Sequence, residues 1–126
     1  MRTQIAPILS SFLVRTTDPR AGGVSPELVG GALRMSVSDL SKVTRLHRNT
    51  LTRTPGSPSV QARVGEVARI VSAAAEIIGD DDKAAVWFRH QPLAGFSGRT
   101  AEELVAAGHA DAVLKHLDQL ADGGFG

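Results

Sequence analysis

Residues 87–126 read WFRHQPLAGFSGRTAEELVAAGHADAVLKHLDQLADGGFG. Thr100-Ala-Glu-Glu103 has the form of a capping box, in which the threonine hydroxyl and the glutamate carboxylate each satisfy an orphan N–H of a helix start. That cap anchors the exit of the glycine-containing loop 93–99. Gly108 suits a helix C-terminus. Beyond it Val113, Leu114, Leu117, Leu120 and Ala121 recur at helical spacing and are expected to be buried or half-buried. Gly123-Gly124 ends this last helix and leaves Phe125-Gly126 as a narrow tail. The stretch reads as two short helices that present a loop and a terminus.

The segment before it supplies the scaffold. Over residues 59–78, Val60, Val64, Val67, Val71, Ala74 and Ile78 repeat at three and four residues, with Gln61, Arg63, Glu66 and Arg69 expected outside. Gly65 is expected to permit close packing, and Ile70 and Ile77 lie off the main stripe. Gly79-Asp80-Asp81-Asp82 ends this long helix and caps the next, whose inward residues are Ala84, Ala85, Trp87 and Phe88.

Further upstream the helices are shorter. Ser25-Pro26-Glu27 is a helix start, with serine as N-cap and proline at the first position, and Leu28, Val29, Ala32 and Leu33 form its expected buried stripe. Ser36-Val-Ser-Asp39 starts another helix with Val37, Leu40 and Val43 inward. A turn at Thr44-Arg45-Leu46 leads into a short helix over residues 47–53, which Pro55 and Pro58 stop. Residues 1–24 are expected to form an N-terminal arm or a short helix. Ile5, Ile8, Leu9, Phe12 and Leu13 share one helical face with Pro7 in the first turn, and TTDPRAGG after them is expected to be a loop.

Composition agrees with helices. The chain has 126 residues, 42% of them apolar, but only four Phe and one Trp. A core of Leu, Val, Ile and Ala suits packed helices better than a sandwich or barrel. No apolar run approaches the roughly 18 residues that a bilayer span needs, the N-terminal residues make a poor signal peptide, and the absence of cysteine excludes disulfides and thiolate metal sites. These features point to the cytoplasm. The net charge of +1 hides an asymmetry: residues 34–69 carry seven Lys/Arg against two acids, and residues 76–126 carry four against nine. A basic middle and an acidic C-terminal third suggest two surfaces for two partners.

Residues 36–53 have the outline of a helix-turn-helix. The second helix offers Arg48, Asn49, Thr50, Thr52 and Arg53, side chains of the types that reach base edges and phosphates from a major groove. Lys42 and Arg45, with Arg63 and Arg69, add phosphate contacts. Catalytic patterns are missing. His47, His90, His109 and His116 lack paired metal-ligand spacing, Glu102-Glu103 diverge on a helix, and no nucleophile or phosphate-loop motif surrounds the serines or glycines. The sequence therefore points to a protein that is not an enzyme, with no metal and no cofactor.

The order of these parts resembles the Xre/MbcA/ParS family of antitoxins. Ala85, Trp87, Pro92-Leu93, Gly95, Gly98-Arg99-Thr100, Glu103-Leu104, Gly108, Val113, Leu117 and Gly123 carry the resemblance, which is good over residues 59–126 and looser over 25–58. Ala101 stands where the family usually has proline. The resemblance implies an all-α fold: an Xre-like helix-turn-helix region over 25–78, then a small helical toxin-binding domain over 79–126. It implies an antitoxin that covers the active site of a cognate RES-domain toxin consuming or transferring from NAD, and that binds operator DNA as a homodimer to repress its own synthesis. Arg89, Gly95, Gly98, Arg99, Gly123, Gly124, Phe125 and Gly126 are then the expected toxin contacts. The alternatives are a stand-alone helix-turn-helix regulator with a helical dimerisation domain, or a small adaptor with no DNA role.

Overall fold

The computed structural model describes residues 10–123. Its organising element is α5 (Pro58–Ile78), started by Ser57, whose hydroxyl accepts from the Val60 N–H, and by Pro58 in the first turn. Val60, Val64, Val67, Ala68, Ile70 and Val71 are completely buried along it. Every one of these is small or β-branched, so neighbouring helices pack close around most of α5, and Ala62, Arg69 and Glu76 mark the face left exposed. Ile70, expected off the stripe, is at its centre. Ile77 and Ile78 are instead exposed, because the chain leaves α5 at Gly79 before anything covers its last turn.

Around α5 lie α1 (Ser11–Thr16), α2 (Pro26–Leu33), α3 (Val37–Thr44), α4 (Arg48–Arg53), α6 (Asp81–His90), α7 (Ala101–Ala106) and α8 (Ala110–Ala121). The caps are those the sequence advertises: Ser25 and Pro26 at α2, reciprocal boxes of Ser36 with Asp39 at α3 and Thr100 with Glu103 at α7, and Asp80 at α6. A single continuous core runs from Phe12 and Val29 through α5 to Phe88, Leu104 and Leu117. The helices upstream and downstream of α5 also touch each other directly, α2 against α6 and α3 against α7.

Several expectations are corrected. TTDPRAGG is not an open loop. Thr17–Asp18 and Gly23–Val24 form a two-residue antiparallel pair, β1 and β2, closed by a one-turn 3₁₀ helix at Pro19–Ala21. Gln61, expected outside, is half-buried and holds that hairpin: its Oε1 accepts from the Val24 N–H (3.0 Å), and its Nε2 donates to the carbonyls of Val24 (2.8 Å) and Pro55 (2.9 Å). Leu28 and Val37 are 40% and 42% exposed rather than buried. Each falls in the first turn of a short helix, where only part of the circumference meets α5, and Val37 lines a groove with Pro26, Leu40 and Leu51. Ala121 is exposed for the same reason at the end of α8. Gly65 faces no neighbouring backbone; a Cβ there would meet only the Arg69 side chain, at 3.5 Å. The turn between α3 and α4 is Arg45–His47, one residue later than expected, with Arg45 left-handed at φ 58°. Ile5, Pro7, Ile8 and Leu9 lie outside the described residues, while α1 buries Phe12 and half-buries Leu13.

Candidate partner-binding surfaces

The loop between α6 and α7 is built from three backbone bonds and one aromatic anchor. The Leu93 N–H donates to the Arg99 carbonyl (2.9 Å), the Phe96 N–H to Leu93 (3.3 Å) and the Arg99 N–H to Phe96 (3.1 Å), and Pro92 bridges to Thr100 at its base. Gly95, Ser97 and Gly98 adopt φ of 86°, 58° and 75°. Those left-handed turns fold the loop back on itself. Leu93 is buried beneath it, and the Phe96 ring meets the His116 ring of α8 edge-on, with centroids 5.8 Å apart. Ala94, Gly95, Ser97, Gly98 and Arg99 stay exposed. The result is a pinned loop with exposed glycines and one exposed arginine.

The sequence singles out neither Phe96 nor His116. The available signal was an aromatic residue inside a glycine-rich turn, which has to bury its ring against something nearby. Arg89 is placed differently from the expectation that it faces a partner. From the last turn of α6 its Nε donates to Glu102 of α7 (2.8 Å), Nη1 donates to the Arg34 carbonyl at the end of α2 (2.7 Å), and Nη2 lies 3.6 Å from Asp39 of α3. All three nitrogens are engaged within the chain. Asp39 in turn accepts from the Ser36 N–H (3.3 Å). That bond above all holds its carboxyl below the usual 3.8, with the Ser36 hydroxyl, Arg89 and Lys42 adding to the effect and desolvation opposing it.

The second surface is the outer side of α3 and α4. Lys42, Arg45, Arg48, Asn49, Thr52 and Arg53 are exposed there, and Thr50 is half-buried. Leu51 fixes α4 from below. Arg63 is turned inward, where its Nη1 donates to the Thr44 carbonyl (2.8 Å) and closes the C-terminal end of α3. α4 is only six residues long, and His47 gives it no side-chain cap. Gly123 ends α8 at φ 81°; Gly124, Phe125 and Gly126 lie outside the described residues. No group of His, Asp and Glu among the described residues is arranged to hold a metal, and no described helix is long and apolar enough to cross a membrane.

No curated protein and no solved structure matches the chain. Residues 73–123 match the family model of the antitoxin Xre/MbcA/ParS C-terminal toxin-binding domain. That span opens in the last turns of α5 and takes in α6, the pinned loop, α7 and α8. Over residues 73–123 the chain is thus similar to the toxin-binding domain of the Xre/MbcA/ParS antitoxins.

Proposed function

We propose that the chain neutralises a RES-domain toxin by laying the loop 93–99 and the end of α8 over the toxin's active site. The match of residues 73–123 to a toxin-binding domain carries this reading. The loop supports it physically. Its hydrogen bonds and the Phe96–His116 contact order it before any encounter, so little conformational entropy is lost on docking. Gly95, Gly98 and Arg99 are its outward positions, with Arg99 supplying charge. Gly123 and the three residues that follow it are proposed as further toxin contacts.

The basic face of α3 and α4 is the complementary half of the proposal. It binds operator DNA, with Arg48, Asn49, Thr50, Thr52 and Arg53 toward the groove and Lys42 and Arg45 toward phosphates, and the chain acts there as a dimeric autorepressor in the cytoplasm. Lys42, Arg45, Arg48 and Arg53, all exposed on these helices and the turn between them, against Asp39 alone, support it.

Co-expression with the toxin and removal of Gly123–Gly126 tests the first half. Weakened neutralisation is expected; full protection by the shortened chain would remove the tail from the interface. Binding to upstream DNA at several salt concentrations tests the second half, because phosphate-driven association must weaken steeply with salt.

A further inference from the structure

The loop that faces the toxin is flanked by Arg89 at the end of α6 and Glu102 at the start of α7, and these two side chains meet at 2.8 Å. Their ion pair joins the two helices that the loop connects, and the Pro92–Thr100 bridge joins the two ends of the loop itself. Arg89 does not stop there. Its other two nitrogens hold the Arg34 carbonyl and Asp39, which belong to α2 and α3, far upstream of the toxin-binding domain. A planar guanidinium with fixed donor directions can serve three partners only while all three keep their places. The side chain is 22% exposed and Glu102 21%, so the pair is partly shielded from solvent.

We infer that Arg89 is a positioning residue: it fixes the pose of the toxin-facing loop by fastening α7, through Glu102, to the ends of α2 and α3. This rests on the reading that the loop meets the toxin. The toxin-binding domain is on this account incomplete by itself, since one of its determinants, the anchorage of Arg89, lies in residues 34 and 39 outside the matched span. A toxin selects the loop from those conformations in which the clamp is closed. Opening the clamp lowers the population of that conformation, which slows association and leaves dissociation from the formed complex nearly unchanged.

The test uses the full chain with Glu102→Gln and, separately, Arg89→Lys. The first keeps the shape but removes the charge; the second keeps the charge but loses the fork. In the free protein, hydrogen exchange at the amides of Leu93, Phe96 and Arg99 is expected to accelerate about fivefold, the size of effect one partly exposed ion pair supports, while amides in the middle of α5 keep their protection. With the toxin that co-purifies with the wild-type chain, the association rate should fall by a similar factor and the dissociation rate should hold. Unchanged exchange at the three loop amides would overturn the inference, and so would an equal loss of protection across α5, which would make Arg89 a general stabiliser. Because the exchange measurement needs no toxin, a wild-type chain that binds none would overturn the proposed function without deciding the clamp.

Discussion

The guanidinium of Arg45 lies against Gly108: a Cβ added at residue 108 would stand 3.1 Å from Nη1 of Arg45. The contact joins the turn between α3 and α4 to the turn between α7 and α8. Both residues are left-handed, Arg45 at φ 58° and Gly108 at φ 91°. At Gly108 the N–H donates to Val105, and the following N–H, of His109, donates to Leu104 (2.8 Å), which closes the end of α7.

Gly108→Ala is therefore expected to destabilise the chain by about 1–2 kcal/mol, the cost of a left-handed non-glycine residue. Urea unfolding measures it. Combining it with Arg45→Ala should recover only the part due to crowding, because the backbone strain is indifferent to Arg45.

Arg48→Ala is expected to weaken DNA binding for all sequences and to lower the slope of log affinity against log salt by about one. Toxin neutralisation should persist, since Arg48 is exposed on α4 and has no part in the loop. Titrations with upstream DNA at three salt concentrations, beside a co-expression assay, measure both. Loss of both activities together would indicate misfolding.

Phe88 is completely buried where α6 meets the shared core. Phe88→Ala should cost about 3–5 kcal/mol. With one core, the wild type is expected to melt in a single transition, and the variant in a single lower one, by calorimetry. Two separated transitions would mean that α2–α4 and α6–α8 fold independently.

The pH dependence follows from Asp39. Because its folded pKa is lowered, the folded chain binds this proton less readily than the unfolded chain. The contribution is present above the ordinary carboxylate value and is lost as the pH falls through the lower folded value. Asp39→Asn should flatten the acid limb of stability, read as urea midpoints at a series of pH values. An acid limb as steep as that of the wild type would take Asp39 out of this role.

The contrast between what was legible and what was not follows the range of each interaction. Caps at Ser25, Ser36, Asp80 and Thr100 span three residues of chain, so they can be read directly. The valine repeat of α5 is likewise a local pattern. Arg89 and Gln61 reach partners 55 and 37 residues away, and no spacing rule distinguishes them from surface polar residues. The exposure of Leu28 and Val37 was hidden for a related reason: a helix of eight residues shows too few turns to fix which part of its face meets α5. In the candidate site the loop and its exit cap were visible, but the Phe96–His116 contact depends on where α8 returns.

Gln61 has a consequence for the behaviour of the chain in a crowded solution. A two-residue hairpin leaves an edge whose N–H and carbonyl groups invite another strand. The Gln61 amide occupies both groups of Val24 at once, donor to acceptor and acceptor to donor, as a neighbouring strand would. A side chain from α5 thus closes the sheet after its second strand and leaves Val24 with neither group free to pair with another molecule.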